Sequence, residues 1–419
     1  MPVQEANAVT RAAEQSGADE IARWGAAEIT AAVRRREVSR AEMVRAHLDR
    51  TAAYDDTLNA LTISLGERAL ADARAADRDP SARDAMPLDG APVTVKDLFD
   101  VEGAPTSEGS ATFAGRTASG MAAVGIGIDL AGSIRVPAAF CGPYGLHTTP
   151  GLIPTDREFP PRDAVPAFDT MTSAGPLARH PDDLRTVLLA LAGPEAAHPM
   201  TLSAQPPAPA ADRPSRVAMV IDECGAAVDD ETVSAVRRTA DALRLAGYEV
   251  EDAVFPGVER LPDLWGELLM AEVRESAWPG LAPHMNESCR THAEEMAAYF
   301  RRPGDLRGYL RLWQERSALR ARVYDWMARY PLVISPLAGW AGAPPLQYDH
   351  LVGETETARI VTAMRNALWP PALGLPAVAL PNGIQIAARP FHDLDAVAAA
   401  QAVGQPVAIA DPAGAPTGP

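Results

Sequence analysis

Two stretches of the chain contain side chains whose types suit covalent chemistry. The first is GIGIDLAGSIRVPAAFCGPYG, residues 125–145, where a β-rich run from Val124 to Leu130 meets a small-residue bend ending at Ser133. The missing N–H of Pro137 is harmless in a first helical turn, which predicts a short helix from Pro137 to Phe140. A serine on a tight strand-to-helix bend exposes its hydroxyl beside unpaired backbone N–H groups. This arrangement suits a nucleophile next to an oxyanion site.

The second stretch is PLDGAPVTVKDLFDVEG, which contains Lys96, the single lysine among 38 lysines and arginines. Arginine cannot give up its proton in a protein, whereas a buried lysine can. Lys96 ends the apolar run 92–95, where desolvation favours the neutral amine by as much as ~3–5 pK units. The position therefore predicts a base. The alternative interpretation is a lysine whose stem covers a strand end while its charge reaches water.

Together the two stretches resemble the two signature blocks of the amidase signature family of serine hydrolases. Lys96, within PVTVKDLFDVEG, matches the catalytic lysine of the family, and Ser133, within GIDLAGSIRVPAAFCGPYGL, matches its acyl-accepting serine. The resemblance extends roughly from Ala22 to Gly404 and includes the segments LNAL, TSAGPLAR and GLPAVALPNGIQIAARPF. It implies an α/β fold in which one large domain has a central mixed β-sheet flanked by helices on both faces.

The resemblance also implies a mechanism. Ser133 attacks an amide carbonyl, and neutral Lys96 takes its proton through an intermediate serine and later returns it to the leaving amine. Asp129 and Arg135 are expected to fix the bend through hydrogen bonds to its backbone. The oxyanion is expected to be held by the backbone N–H groups of Leu130, Ala131 and Gly132.

The intermediate serine is the weak point of the resemblance. Relatives are expected to have a helix-and-strand unit and a Gly-Ser-rich loop before the nucleophile strand, and here only RTASGMAAV, residues 116–124, remains. Ser119 is the candidate for this relay, because a glycine follows it directly. Ser107 and Ser110 are alternatives on the preceding loop. Without a relay, Lys96 and Ser133 would have to interact directly.

Two further departures from the family pattern concern the nucleophile block. Ala131 stands where the family favours glycine, so we expect less φ freedom at the bend. His147 stands where the family has a lysine, and we interpret it as polar surface.

Composition narrows the class of protein. The chain has 419 residues, 47% of them hydrophobic, enough for a large core. Its net charge of −17 opposes binding to nucleic acid. Without an apolar run of about 18 residues or an N-terminal signal core, we expect no membrane span and a cytoplasmic protein. The three cysteines have neither disulfide nor zinc spacing. We expect no metal, no cofactor and a small-molecule amide as partner, with a homodimer as one possible assembly.

The predicted organisation is a flexible arm at 1–18, the amidase-like domain at 19–404 and a disordered tail at 405–419. The pattern predicts a helix from 19 to 36, with Gly25 as its weak point, and a capping box from Ser39 to Glu42 that starts the next helix. His47 on that helix is interpreted as solvated or half-buried. Residues 217–254 are predicted to form a β-α-β unit with parallel strands.

Three other functions compete with the amidase hypothesis. A Ser-His-Asp hydrolase is disfavoured because the chain has no G-x-S-x-G motif. A dinucleotide-binding protein is weakly suggested by Gly125 and Gly127, but the third glycine has the wrong spacing. The serious rival is a pseudoenzyme, an amidase fold that has lost its chemistry and serves as a binding or scaffold subunit. The chain could also be an internally shortened form of a competent enzyme.

Overall fold

The computed structural model describes residues 20–58, 60–79, 86–96, 101, 122–155, 165–195, 200–201, 216–221, 224, 227–284, 287–340 and 354–404. The predicted N-terminal arm and C-terminal tail lie outside these residues, and so do Ser107, Ser110 and Ser119. In the part of the chain that is described, no helix combines the length and apolar composition needed to cross a membrane.

A mixed sheet forms the centre of the described structure, with the strand order β1-β2-β4-β3-β8-β9-β7-β5-β6. Its strands are β1 Val93–Val95, β2 Val124–Asp129, β3 Tyr144–His147, β4 Ser173–Ala178, β5 Arg216–Met219, β6 Glu249–Asp252, β7 Leu332–Pro336, β8 Ala377–Ala379 and β9 Ile384–Ala388. β1 is parallel to β2, and β5 is parallel to both β6 and β7, whereas the remaining pairs are antiparallel.

Helices precede the first strand, separate most of the later strands and follow the last one. They are α1 Ala26–Arg35, α2 Arg40–Leu58, α3 Gly66–Arg78, α4 Arg135–Cys141, α5 Pro166–Met171, α6 Pro181–Leu191, α7 Asp230–Leu245, α8 Leu261–Glu272, α9 Trp278–Leu281, α10 Glu287–Tyr299, α11 Leu306–Arg329, α12 Glu354–Ala363, α13 Arg365–Leu373 and α14 Asp393–Val403. A π-helical turn, Val273–Ala277, joins α8 to α9.

Both faces of the sheet are covered, as strand β7 illustrates. Leu332 and Ile334 lie in the apolar cluster that α1, α6, α7 and α14 form on one face. Val333, which points the other way because side chains alternate along a strand, lies in the cluster formed with α8, α11 and α13. The expected α/β fold, a mixed sheet between helical layers, is therefore confirmed.

Local predictions are confirmed where the sequence signal is strong. The Ser39–Glu42 capping box forms, with Ser39 N donating to Glu42 Oε2 at 2.8 Å and Glu42 N donating to Ser39 Oγ at 3.1 Å. The β-α-β unit is also present, with β5 and β6 parallel. Helix α1 begins only after Gly25, which is its N-cap residue.

Other predictions need correction. His47 is 2% exposed, so its interpretation as solvated or half-buried is wrong; it lies on the buried face of α2, with Nδ1 2.9 Å from the Met43 carbonyl. The sequence pattern also did not predict β3, β4, α12 or α13. β3, β4 and α13 are buried along most of their length, so they lack the polar–apolar alternation that reveals an element.

Candidate active site

The bend after β2 places Ser133 at the surface. Gly132 has a φ of +104°, and a Cβ atom there would lie 2.7 Å from Val136 Cγ2, so only glycine fits. Ala131, by contrast, does not have a positive φ. Alanine at position 131 therefore does not strain the bend, because the left-handed residue is the one that follows it. Ser133 is exposed, whereas Gly132 and Ile134 on either side are buried.

Asp129, the last residue of β2, organises this bend from beneath. Its Oδ1 accepts a hydrogen bond from Gly132 N at 2.7 Å, and its Oδ2 accepts one from Arg135 Nε at 2.9 Å. Arg135 extends the network by donating from Nη1 to Gln385 Oε1 at 2.7 Å and from Nη2 to the Ala367 carbonyl at 2.9 Å. Because Asp129 and Arg135 are both fully buried, each needs the other to compensate its charge.

The charge state of Asp129 follows from this network. Burial by itself would raise the pKa of the Asp129 carboxyl. The neighbouring Arg135 and His147, together with hydrogen bonds from Arg135 and the Gly132 amide, instead hold that pKa well below its usual range. Asp129 is therefore a carboxylate that stabilises the bend at any pH near neutrality.

The same hydrogen bonds decide which amides are free to hold an oxyanion. The N–H of Gly132 is already donated to Asp129, so this predicted donor is not available. Among the described residues, no hydrogen bond is formed by the amides of Ala131 and Ser133. The carbonyl of Leu130 accepts a hydrogen bond from Trp265 Nε1 at 3.0 Å. Within the described structure, two amides without a hydrogen-bond acceptor thus flank the occupied Gly132 amide.

Lys96 follows β1 directly and lies at the same edge of the sheet as the bend. Its backbone N donates to the Ile126 carbonyl at 2.9 Å, continuing the parallel pairing of β1 with β2. The segment that leads into β1 is anchored by a buried ion pair between Arg40 and Asp89, with Nη2 2.6 Å from Oδ2. Because Val95 pairs with Ile126, Lys96 lies level with Gly127, two residues before the end of the strand that leads into the bend.

The environment of Lys96 favours the neutral amine. Burial lowers the pKa of the Lys96 ammonium from its usual value, and the negative charge of Asp129 offsets only part of this effect. Within the described part of the chain, no hydrogen bond joins Lys96 Nζ to Ser133 Oγ. Lys96 thus follows the end of β1 and Ser133 follows the end of the neighbouring β2, with no direct hydrogen bond between them in the described residues. The candidate relays Ser107, Ser110 and Ser119 lie outside the described residues.

His147 and Ser173 are polar residues buried beneath the bend. His147 is fully buried on β3, so its interpretation as polar surface is wrong. Its Nδ1 lies 2.8 Å from Ser173 Oγ on β4 and 3.6 Å from Asp129 Oδ1. Burial lowers the pKa of His147 to about 3 although Asp129 opposes this, so the imidazole is neutral near neutral pH. The sequence did not identify Ser173 and Gln385 as site residues, although both lie in segments that resemble the family.

A cavity of about 340 Å³ elsewhere on the surface does not adjoin this site. It is lined by residues of α1 and α6 together with Pro87, and none of them belongs to the bend. The candidate site is therefore the bend with its polar network, and this cavity is not part of it.

The family to which the chain belongs follows from its similarity to known proteins. A family model described as Amidase matches residues 42–119 and 114–397. The chain is a member of the amidase signature family. Relatives in this family include amide hydrolases and an amidotransferase subunit. The two matched stretches meet at 114–119, so the match to the family is interrupted there.

Individual relatives support this assignment. The chain is 24% identical to an indoleacetamide hydrolase of Bradyrhizobium diazoefficiens over 391 positions, covering 75% of this chain and 72% of that protein. It is 30% identical to one subunit of a glutamyl-tRNA(Gln) amidotransferase of Anaeromyxobacter over 309 positions, covering 57% of this chain and 61% of that protein. A solved structure of a fatty acid amide hydrolase has the same fold, with a TM-score of 0.73 at 17% identity, covering 92% of this chain and 86% of that one.

The alignments also support the expected internal shortening. The alignment with the indoleacetamide hydrolase has 391 positions, although it takes in 75% of the 419 residues here. Tens of positions in that relative consequently have no residue opposite them. The match to the family model is interrupted at 114–119, which lies between the block that contains Lys96 and the block that contains Ser133.

Proposed function

We propose that this protein is a serine amidase that hydrolyses a linear carboxamide without a metal or cofactor. Ser133 Oγ attacks the carbonyl carbon, and Lys96 Nζ in its neutral form accepts the hydroxyl proton. The C–N bond then breaks as the lysine returns that proton to the leaving amine. Water hydrolyses the resulting acyl-enzyme on Ser133 and releases the acid.

The observation that supports this proposal best is the difference in environment between Ser133 and Lys96, which follow two neighbouring strands of the sheet. Ser133 is exposed on a bend whose backbone is fixed by Asp129, whereas Lys96 is partly buried with a lowered pKa. A general base works best when its pKa approaches the working pH, and lysine reaches that range only by desolvation. The negative oxygen of the tetrahedral intermediate would be held by the free amides of Ala131 and Ser133.

The proton path between the two residues is part of the proposal. Because no direct hydrogen bond joins Lys96 to Ser133 in the described residues, a bridging hydroxyl or a movement of the lysine stem is required. Ser119 is our candidate for the bridge, with Ser107 and Ser110 as alternatives.

The proposed substrates are small amides, and a nucleic acid is not expected because the chain has a net charge of −17. One relative is named for an indolyl amide, so indolyl compounds belong in any screen. The proposal includes a homodimer as the assembly.

An activity screen over small aliphatic, aryl and indolyl amides tests the proposal. Wild type should release the acid, and Lys96→Ala and Ser133→Ala should not. Lys96→Arg is the matched control, because arginine keeps the positive charge and the stem but cannot accept a proton from serine. Activity that persists in Lys96→Arg would contradict the role of Lys96.

A second candidate is a binding or scaffold subunit with an amidase fold. The internal shortening favours it, because the match to the family breaks at 114–119, between the two blocks that bear Lys96 and Ser133. Well-folded wild type that hydrolyses no amide in the screen would support this candidate over the first.

A further inference from the structure

The free amide of Ala131 depends on the orientation of one peptide unit. The carbonyl of Leu130 and the N–H of Ala131 belong to the same planar group and point in opposite directions. Whatever holds the Leu130 oxygen therefore sets the direction of the Ala131 N–H. The same reasoning applies to the Gly132 carbonyl and the Ser133 N–H.

These two peptide units are held by different parts of the chain. The Gly132 carbonyl accepts a hydrogen bond from Val136 N at 2.7 Å, a contact within the turn that begins α4. The Leu130 carbonyl accepts its hydrogen bond from Trp265 Nε1 at 3.0 Å, and Trp265 lies on α8, 135 residues later in the chain. Only the Ala131 amide is thus oriented by a distant side chain.

The indole of Trp265 is itself firmly held. Trp265 is 1% exposed, and Phe300, which is 4% exposed, meets it edge-on with ring centroids 5.8 Å apart at 70°. Phe300 packs so closely on the next residue of α8, Gly266, that a Cβ there would lie 2.1 Å from the phenyl ring. An indole with so little freedom holds its N–H in a fixed position.

We propose that Trp265 is a positioning residue for catalysis, which turns the Leu130–Ala131 peptide so that the Ala131 N–H faces the developing oxyanion. This inference rests on the proposed amidase function. The oxyanion forms only during reaction, so a misaligned donor weakens transition-state stabilisation without weakening substrate binding. Loss of the indole N–H should consequently lower kcat and leave KM unchanged.

Trp265→Phe tests the inference, because it removes the N–H and keeps an aromatic ring against Phe300. Removing one oxyanion donor outright typically costs ~10²–10³ in kcat, and a loosened donor should cost less, about tenfold. The concentration of active sites is titrated with a fluorophosphonate that reacts at Ser133, and kcat is calculated from that concentration. A lower yield of folded protein therefore does not lower the measured kcat. Affinity for an arylboronic acid, whose boronate oxygen occupies the oxyanion position, should fall in parallel.

Trp369→Phe is the matched control. Trp369 is also 1% exposed and belongs to the same apolar cluster, but it packs against Phe255. This variant should keep kcat per titrated site. If Trp265→Phe does not fold, Phe300→Leu is the second variant. It removes the ring that packs against Trp265, and it should lower kcat by a smaller factor with KM unchanged.

The outcomes separate the two proposals. A Trp265→Phe enzyme with wild-type kcat and boronate affinity would overturn the role of Trp265 and leave the amidase proposal standing. Equal losses in both tryptophan variants would also overturn it, because the effect would then be one of packing. Wild type that neither turns over amides nor reacts at Ser133 would refute the proposed function, and the role of Trp265 with it.

Discussion

The bend around Ser133 and the strand that bears Lys96 differ sharply in how they are held. At the bend, Asp129 accepts hydrogen bonds from the Gly132 amide and Arg135, and Arg135 continues to Gln385. β1 has three residues, pairs only with β2 in the described sheet and leaves Val93 and Val95 40% and 42% exposed. Buried, paired groups therefore hold the nucleophile side, whereas the base side is a short, partly exposed strand that we expect to contribute little to stability.

That contrast has a functional consequence. Changes at the bend should disturb folding and activity together, because the groups that orient Ser133 are also buried and paired. Changes at Lys96 should disturb activity alone. A chain of this family could accordingly lose its chemistry at the lysine side while the fold persists.

The largest expected effect is at Arg135. Replacing it in Arg135→Met leaves the Asp129 carboxylate fully buried without its charged partner, which typically costs about 3–5 kcal/mol of unfolding free energy. Urea denaturation measures this loss. A comparable loss in Lys96→Met would contradict the difference between the two regions.

Lys96→Met should lose activity without losing stability. We expect kcat/KM to fall by about 10²–10⁴, as is typical for loss of a general base. Unfolding free energy near pH 7 should be equal to or above that of wild type, because burial disfavours the charged lysine in the fold. In wild type, kcat/KM should rise with pH through a pKa below the usual lysine value. A stability loss above about 2 kcal/mol would show that the fold depends on Lys96.

His147 provides an acid-dependent test of the bend. Its pKa is about 3 in the fold, below the usual value near 6.5, so the unfolded chain binds more protons between these pH values. Stability should therefore be fully present above pH 6.5 and fall as the pH drops toward 3. Wild type should lose about 3 kcal/mol more than His147→Gln between pH 7 and pH 4. Parallel curves for the two proteins would contradict a buried, neutral His147.

The smallest effect is expected on β1. Val95→Thr places a hydroxyl on a side chain that is already 42% exposed, so the loss of unfolding free energy should stay below about 1 kcal/mol. Thermal unfolding with Val333→Thr as the matched β-branched control, which is fully buried on β7, measures the contrast. Equal losses at the two positions would show that β1 is packed as tightly as the sheet centre.

Much of this arrangement could be predicted from the sequence. Lys96 and Ser133 stand in long, specific blocks, and the capping box at Ser39 and the β-α-β unit follow from local patterns. The sequence identifies Gly132 as part of the bend, whereas its positive φ and its close approach to Val136 appear only in the structure.

The remaining features depend on contacts between distant segments. His147 is buried because β3 pairs with β4 and β8, and no local pattern distinguishes such a strand from a polar surface segment. The contact from Trp265 to Leu130 joins residues on separate elements, so neither stretch alone indicates it. Donation of the Gly132 amide to Asp129, which removes it from the expected oxyanion donors, likewise appears only in three dimensions.

The most direct test of the central claim is covalent labelling by a fluorophosphonate, with the modified residue identified by mass spectrometry. The account predicts that wild type is modified at Ser133, that Ser133→Ala is not modified, and that Lys96→Met reacts at least ~100-fold more slowly at pH 7. Folded wild type that stays unmodified, or Lys96→Met that reacts as fast as wild type, would contradict it.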